Sequence, residues 1–197
     1  MALDLVVVGA SLGGLAALQA LLAGLPDGFA VPIAVAQHRR PDAESRLTAL
    51  LGRKTSLAVR EPDDKEPIEP GTVYVAPADY HLLVEGEGTF ALSVDGPVTF
   101  ARPSIDVLFE SAAEAYGQRL AAVLLTASSD DGAAGIAAVA AHGGVTVVED
   151  PETAASPVAG RAAMARTAVA HVLPVGEIGA LLGELAKPAA AERRARR

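Results

Sequence analysis

The sequence predicts an α/β fold: a doubly wound, mainly parallel sheet with helices on both faces and an inserted β-hairpin. Short apolar runs, typical of strands buried on both sides, alternate about five times with segments of helical periodicity. Hydrophobic residues make up 51% of the chain but aromatic residues only 4%, which suits helices packed closely on a parallel sheet. The length of 197 residues indicates one domain, expected over residues 1–187, with a disordered basic tail at 188–197.

The first unit joins a strand to a helix through a glycine-rich turn. The apolar run 5–8 predicts a buried strand, Gly9 is expected to open a tight turn, and leucines at helical spacing begin a helix near Gly13. The sequence Gly-Ala-Ser-Leu-Gly between them matches the Gly-x-Ser-x-Gly nucleophile elbow, in which glycines let the backbone bend and expose the hydroxyl. Ser11 is therefore a candidate nucleophile.

Two other interpretations of this turn stay open. A dinucleotide-binding loop has the pattern Gly-x-Gly-x-x-Gly, but Ser11 occupies the position of its middle glycine. The turn can also be purely structural, with Ser11 as the N-cap of the helix. A short motif of this kind is compatible with all three interpretations.

One further strand–helix unit and two more strands are predicted next. Residues 30–37 are almost continuously apolar, which indicates a second buried strand, and Asp42 is expected to cap a helix over 43–51. A shorter third strand is predicted at 55–60. A charged, proline-rich surface loop separates it from a strand at 72–76.

The second half of the chain begins with a feature that interrupts this alternation. Residues 81–84 and 89–94 flank Glu-Gly-Glu-Gly and predict the inserted hairpin, which is expected to wall one side of a cleft. The strand–helix alternation then resumes. The remaining predicted elements are a helix capped by Ser104, a strand at 120–126, a helix at 133–141, a strand at 145–148, a helix at 159–166, a strand at 169–173 and a helix at 175–185.

Composition and charge exclude several classes of partner and site. The formal net charge of −8 argues against nucleic acid as the main partner. The chain has no cysteine, so disulfides and thiolate metal sites are excluded, and the sequence predicts neither a metal nor a cofactor. We expect no signal peptide, because the chain enters its first strand at once, and no membrane span, because no apolar run is long enough. A cytoplasmic location is the default prediction.

Three polar residues follow predicted strands at their carboxyl ends. Ser11, His38 and Asp131 are expected to meet at one edge of the sheet, the edge at which open α/β sheets bind ligands. These three residue types make a hydroxyl nucleophilic, because the imidazole takes its proton and the carboxylate orients the imidazole. Their order in the chain differs from the Ser-Asp-His order of the α/β-hydrolases.

Each member of this set also has a plainer interpretation. His38 can be an ordinary residue at the end of a strand, and Asp131 can simply cap the helix that begins at Ala133. His81, which follows a proline turn, and Asp130 are the nearest rivals for the two roles. We favour the first set because all its members follow the carboxyl ends of predicted strands.

Five short motifs occur in order along the chain. They are Gly9-Ala10-Ser11-Leu12-Gly13-Gly14, Gln37-His38, Tyr74-Val75-Ala76-Pro77, Arg102-Pro103-Ser104-Ile105-Asp106-Val107-Leu108-Phe109 and Asp131-Gly132-Ala133-Ala134-Gly135. Together they resemble the catalytic domain of the chemotaxis protein-glutamate methylesterases, over residues 4–186. The resemblance makes residues 1–187 a methylesterase-like catalytic domain.

The resemblance implies a serine hydrolase that removes methyl esters from glutamyl side chains of chemoreceptors; family members also deamidate receptor glutamines. It places the nucleophile at Ser11, the base at His38 and the orienting carboxylate at Asp131. A methylated receptor, or another signalling protein, is then the expected partner. The backbone N–H groups of Leu12 and Ser128 are expected to form the oxyanion hole.

The sequence departs from the family pattern in three respects. Leu12 replaces the threonine that commonly follows the nucleophile. The loop before Asp131 reads Thr-Ala-Ser-Ser-Asp where the family usually has Thr-Gly-Met-Gly-Asn, which adds the carboxylate of Asp130. The chain begins at the catalytic strand, without the receiver domain of two-domain members. Regulation is therefore expected to be absent or to come from a separate receiver protein.

The alternative function is a nucleotide-binding or non-catalytic α/β signalling module. A dinucleotide-binding domain usually has an acidic residue at the end of its second strand to bind ribose. Gln37 and His38 occupy that position, which counts against nucleotide binding. The changed loop at 128–130 is the feature that favours a non-catalytic module.

Overall fold

The computed structural model describes residues 3–39 and 46–187, which form a seven-stranded sheet, a two-stranded hairpin and six α-helices. The strands are β1 Leu5–Ala10, β2 Ile33–Gln37, β3 Ala58–Arg60, β4 Thr72–Val75, β5 His81–Val84, β6 Phe90–Ser93, β7 Leu120–Leu124, β8 Val145–Glu149 and β9 His171–Leu173. The helices are α1 Gly14–Ala23, α2 Leu47–Gly52, α3 Ile105–Tyr116, α4 Ala133–Ala141, α5 Val158–Arg166 and α6 Val175–Leu185. The predicted cap Asp42 and the predicted tail at 188–197 lie outside the described residues.

The main sheet is parallel, with the strand order β3-β4-β2-β1-β7-β8-β9. The chain builds it outward from β1, first to one side and then to the other, which is a doubly wound topology. β5 and β6 form an antiparallel hairpin apart from this sheet. The predicted fold class is confirmed. Because β1 lies between β2 and β7, the carboxyl ends of these three strands are neighbours at one edge.

The central strand β1 is buried on both faces. Leu5 and Val7 belong to the core under α3, α4, α5 and the hairpin, whereas Val6 and Val8 belong to the core under α1, α2 and α6. This alternation follows from the period of two residues in a strand. Both cores therefore hold β1 in place, and the turn that follows Ala10 starts from a fixed point.

Four strands begin later than the sequence predicts. The strand β2 starts at Ile33 rather than at residue 30, directly after Pro32, which has no N–H to donate to a sheet. The strand β3 starts at Ala58, because the N–H of Leu57 donates to the hydroxyl of Thr55 in a turn, at 3.2 Å. The strands β6 and β9 also start later than predicted. Of the strands before the candidate site residues, β2 ends at Gln37 as predicted, whereas β1 runs on to Ala10 instead of ending at residue 8 and β7 ends at Leu124 instead of at residue 126.

The hairpin packs between α3 and β4. The hydroxyl of Ser111 in α3 accepts a hydrogen bond from the N–H of Val84 at 3.1 Å, and the rings of Phe90 and Tyr74 lie 4.7 Å apart. The segment that leaves the hairpin borders a cleft that His38 also lines. The predicted cleft wall is therefore formed by the segment after the hairpin and not by the hairpin strands.

Candidate active site

Ser11 and His38 follow neighbouring strands at the same edge of the sheet. The register pairs Ala10 of β1 with Gln37 of β2, and the N–H of His38 donates to the carbonyl of Ala10 at 3.0 Å. The N–H of Ser11 donates to the carbonyl of Thr126, just past β7, at 2.9 Å. Backbone hydrogen bonds on both sides thus fix the position of Ser11 next to His38.

His38 and Asp131 are in direct contact. Nε2 of His38 lies 2.6 Å from Oδ2 of Asp131, although the two residues are far apart in the chain. The carboxylate is fully buried, and the imidazole is only 18% exposed. A carboxylate in this position orients the imidazole and favours the tautomer that carries its proton on Nε2. Nδ1 is then the nitrogen that can take a proton from a nucleophile.

Asp131 is held at the amino end of α3. Its Oδ1 accepts hydrogen bonds from Ser104 Oγ at 2.8 Å and from the N–H of Asp106 at 3.0 Å, and its Oδ2 accepts the N–H of Ile105 at 2.8 Å. Burial raises the pKa of Asp131, but the hydrogen bonds from His38 and from the start of α3 outweigh it and hold the pKa below its usual value. Asp131 therefore stays ionised and can stabilise an imidazolium.

The helices α3 and α4 cap each other around Asp131. Asp106, in the first turn of α3, accepts the N–H groups of Gly132 at 2.9 Å and Gly135 at 2.7 Å at the start of α4. Burial raises the pKa of Asp106 to about 6; the charge of Asp131 adds to this rise, and the two backbone hydrogen bonds oppose it. The plainer interpretation, in which Asp131 caps its own helix at Ala133, is wrong, because the N-cap residue of α4 is Gly132.

The sequence analysis assigns no function to Gln37, yet its side chain links the backbones of Ser11 and His38. Its buried Nε2 donates to the carbonyl of Ser11 at 2.9 Å and to the carbonyl of His38 at 3.0 Å. Within residues 3–39 and 46–187, no hydrogen bond joins the Ser11 hydroxyl to the His38 ring, as is common without substrate. Because its amide binds the backbone carbonyls of both residues, Gln37 sets the spacing between Ser11 and His38. A polar amide at the end of an apolar strand was the available signal.

Two glycines of the first motif make room for neighbouring side chains. A Cβ at Gly9 would lie 2.2 Å from Cγ2 of Ile105, so the start of α3 can pack on β1 only because Gly9 has none. The predicted turn at Gly9 is wrong, since Gly9 lies inside β1. A Cβ at Gly14 would lie 2.1 Å from Oε1 of Gln37. The missing side chain at Gly14 therefore lets the Gln37 amide reach its position.

The two backbone groups predicted for an oxyanion hole are available to a ligand. Across residues 3–39 and 46–187, the N–H groups of Leu12 and Ser128 have no hydrogen-bond acceptor. The hydroxyl of Thr126 donates to the carbonyl of Leu12 at 2.8 Å, which ties the first turn to the loop that carries Ser128. The added carboxylate of Asp130 pairs with Arg166 at 3.3 Å, and both side chains are exposed.

His81, the other candidate histidine, supports the start of α3. It is buried, its Nδ1 accepts the N–H of Ser104 at 3.2 Å, and its Nε2 donates to the carbonyl of Gly96 at 3.1 Å. Ser104 is the N-cap residue of α3, as predicted, and accepts the N–H of Val107. Both ring nitrogens of His81 are therefore engaged, Nδ1 with the segment that binds Asp131 and Nε2 with the segment that contains Gly96.

The part of the chain that the structure describes offers neither a metal site nor a membrane-spanning helix. These residues contain no group of three or more His, Asp or Glu side chains that could hold a metal ion. None of their helices combines the length and the apolar character needed to cross a membrane. The absence of a cofactor and the cytoplasmic location remain predictions.

A crystal structure of the Thermotoga maritima CheB methylesterase catalytic domain is similar to this structure. The TM-score is 0.88 at 34% sequence identity, over 94% of this chain and 100% of that domain. The family model described as CheB methylesterase matches residues 6–182, a span that includes all three candidate catalytic residues. The chain belongs to the CheB methylesterase family. The resemblance stated from the sequence is confirmed.

Two sequence relatives agree with this family. A protein-glutamate methylesterase/protein-glutamine glutaminase of Anaeromyxobacter dehalogenans is 44% identical over 184 residues, 93% of this chain and 54% of that protein. A relative from Leptospira interrogans is 40% identical over 178 residues, 90% of this chain and 92% of the relative. The chain thus spans about half of the first relative and nearly all of the second. The predicted enzyme class is confirmed, and nothing in these matches favours a nucleotide-binding module.

Proposed function

We propose that the protein is a serine hydrolase that removes methyl esters from glutamyl side chains of chemoreceptors, with Ser11 as nucleophile, His38 as base and Asp131 as orienting carboxylate. The 2.6 Å contact between His38 and Asp131, at the strand end beside Ser11, carries this proposal. The family and the name of the Anaeromyxobacter relative support the substrate class. Residues 1–187 form the catalytic domain in this proposal.

Acylation begins at Ser11. Nδ1 of His38 takes the hydroxyl proton while Oγ attacks the carbonyl carbon of the ester, and a tetrahedral intermediate forms. When the intermediate collapses, the bond to the methoxy oxygen breaks, His38 returns the proton to that oxygen and methanol leaves. Asp131 stabilises the imidazolium that exists between these two proton transfers.

Deacylation repeats the proton transfers with water. Nδ1 of His38 takes a proton from a water molecule whose oxygen attacks the acyl carbon. The bond to Ser11 Oγ then breaks, and the hydroxyl recovers its proton from His38. The product is a free glutamyl carboxylate. A receptor glutamine enters the same cycle with ammonia as the leaving group, which gives the deamidase activity that the name of the Anaeromyxobacter relative states.

The negative oxygen of the tetrahedral intermediate needs hydrogen-bond donors that do not have to move. The N–H groups of Leu12 and Ser128 serve this purpose in the proposed mechanism, because each lacks an acceptor within the described residues. The position of Leu12 at the turn before α1 also places the oxygen near the positive end of that helix. Loss of one such donor typically lowers kcat by about 10²- to 10³-fold.

The partner follows from the substrate. We propose a methylated receptor, or a related signalling protein, as the partner that is met in the cytoplasm, and a separate receiver protein as the regulator. The net charge of −8 supports a protein partner over nucleic acid. Binding of a purified receiver protein that changes the rate of methanol release would support the regulatory part.

Methanol release from a methyl-esterified receptor fragment tests the proposed function. The wild-type protein should release methanol, and Ser11→Ala should lower the rate by about 10⁴-fold or more with an unchanged circular dichroism spectrum. Ser56→Ala, at an exposed serine outside the site, is the matched control and should match the wild type. Absence of release by the folded wild-type protein, or equal rates for Ser11→Ala and wild type, would contradict the proposal.

A further inference from the structure

The segment after the hairpin presents an exposed apolar tip. Phe100 is 103% exposed, and Val94 and Val98 on the same segment are 66% and 40% exposed. Single exposed apolar residues are common on protein surfaces, but three on one short segment, including a wholly exposed phenylalanine, form an apolar patch of the kind that contacts partners. Residues 94–101 are called the apolar platform below.

The backbone at the tip of the apolar platform is strained. Thr99 and Phe100 have φ values of 49° and 61°, a left-handed conformation that is unfavourable for β-branched and bulky side chains. Two hydrogen bonds between Val98 and Ala101, at 3.1 Å and 2.9 Å, close the turn that imposes this conformation. Such conformations persist where the surroundings enforce them and are concentrated at ligand sites. The turn therefore holds Phe100 outward at a cost in stability.

The base of the apolar platform is anchored. Arg102 Nη1 donates to the carbonyl of Val94 at 2.7 Å, and Arg102 Nη2 lies 2.6 Å from Oδ1 of Asp79. The ring of His81 donates to the carbonyl of Gly96 at 3.1 Å. Because the segment is tied at both ends, its apolar tip is held in place before any partner arrives, which lowers the entropy lost on binding.

The apolar platform and the candidate catalytic base line one cleft. The cleft has a volume of about 470 Å³, and its lining includes His38 and Arg39 together with Phe100, Ala101 and Arg102. Because His38 lines this cleft, a polypeptide whose ester is held at His38 has its flanking residues next to the cleft. The polypeptide can therefore contact the apolar platform directly from this cleft, without crossing another part of the protein surface.

We propose that the apolar platform is a subsite for the substrate polypeptide, in which Phe100 contacts an apolar side chain that flanks the esterified glutamyl residue. The inference rests on the proposed function, and continuity with the cleft at His38 selects the substrate polypeptide as the occupant over a lipid surface or a second copy of the chain. The protein carries a net charge of −8, and the reaction leaves an anionic glutamyl side chain. Because these like charges repel each other, apolar contact rather than charge attraction suits this occupant.

A comparison of two substrates tests this subsite. Phe100→Ala should raise KM for a methyl-esterified receptor fragment about tenfold more than KM for N-acetylglutamate γ-methyl ester, which is too small to span the cleft. Phe100→Leu, which keeps an apolar side chain, should restore most of the difference. Val172→Ala, at an exposed valine on the far edge strand β9, is the control and should leave both constants unchanged. Equal KM ratios for Phe100→Ala and wild type would overturn the proposal.

Two further measurements separate binding from stability and from turnover. Phe100→Gly removes both the ring and the strain, so it should raise the KM ratio while its Tm stays equal to or above that of the wild type. In a Ser11→Ala background, Phe100→Ala should weaken binding of the esterified fragment about tenfold, measured by calorimetry without hydrolysis. Unchanged binding there would overturn the subsite, whereas a wild-type protein that binds the fragment and does not hydrolyse it would overturn the proposed function alone.

Discussion

The imidazole of His38 contacts Asp131 through Nε2, which lies 2.6 Å from Oδ2 of the carboxylate, so Nδ1 remains for the nucleophile. In the chymotrypsin-type triad the carboxylate contacts Nδ1, and Nε2 is the base. In His38 the two ring nitrogens exchange these roles, which agrees with the fixed position of the Asp131 carboxylate. Its two oxygens already accept three hydrogen bonds from the start of α3, and the imidazole must approach a carboxylate that is held in place.

Replacement of Asp131 by asparagine should affect both activity and stability. Asp131→Asn should lower kcat by about 10⁴-fold, because the amide no longer selects the Nε2-protonated tautomer. The free energy of unfolding should fall by about 1–3 kcal/mol. Both carboxylate oxygens of Asp131 accept hydrogen bonds from the start of α3, and the amide NH₂ of asparagine, itself a donor, cannot replace one of them. Methanol release and urea unfolding measure the two effects.

The neighbouring aspartate provides the control for this prediction. Asp130 pairs with Arg166 on the surface, so Asp130→Asn should change stability by at most about 1 kcal/mol. Its kcat should stay within a few-fold of the wild type. A value of kcat for Asp131→Asn within tenfold of wild type would show that the buried carboxylate does not serve the reaction.

Replacement of Gln37 should misplace the catalytic pair without removing a reacting group. Gln37→Met keeps the side-chain length and loses the hydrogen bonds to the carbonyls of Ser11 and His38, so kcat should fall by about 10- to 100-fold with a smaller change in KM. The matched control is Gln19→Met, because Gln19 also donates to a backbone carbonyl, that of Leu50, at 3.2 Å. That variant should keep the wild-type kcat. Equal kcat values for both variants would contradict a positioning role for Gln37.

The pKa of Asp106 predicts a pH-dependent stability. Asp106 has a pKa of about 6 in the folded protein, whereas an unfolded aspartate has a pKa near 4. Between about pH 4 and pH 6, the folded protein therefore keeps a proton on Asp106 that the unfolded chain has released. The contribution of Asp106 to stability therefore decreases as the pH rises from about 4 to 6 and stays low above 6. Asp131 has the opposite sign: its lowered pKa gives stability that is lost as the pH falls below about 4.

Asparagine at position 106 removes this titration while keeping an acceptor for the N–H groups of Gly132 and Gly135. The free energy of unfolding of Asp106→Asn minus that of the wild type, measured by urea unfolding, should be about 1–3 kcal/mol larger at pH 8 than at pH 4.5, because only the wild type loses stability over this range. A difference that does not vary with pH would show that Asp106 titrates at an ordinary value in the folded protein.

The residues that carry the proposed chemistry were predictable from the sequence because they follow strands. The apolar runs 5–8 and 30–37 lie just before Ser11 and His38, and parallel strands bring their carboxyl ends to one edge, so these two residues were expected to be neighbours. Asp131 was found by the same rule. Its contact with α3 was not predictable, because Ser104 and Asp131 are 27 residues apart and only the packing of α3 against α4 joins them.

Local patterns were misleading where a distant element decides the role of a residue. Gly9 precedes a turn and was assigned to it, but the constraint on this position comes from the side chain of Ile105 in α3. Asp106 lies in the first turn of its helix, where a carboxylate usually interacts with its own N-terminus. It caps α4 instead, a relation that depends on the crossing of two helices.

Covalent labelling tests the central claim most directly. A fluorophosphonate reacts with serines that an adjacent base activates, and mass spectrometry of the digested protein locates the adduct. The adduct should lie on Ser11, and its rate of formation should fall by about 10³-fold or more in His38→Gln. An adduct on another serine, such as Ser128 or Ser129, or an equal labelling rate in His38→Gln, would contradict the assignment of Ser11 as a nucleophile activated by His38.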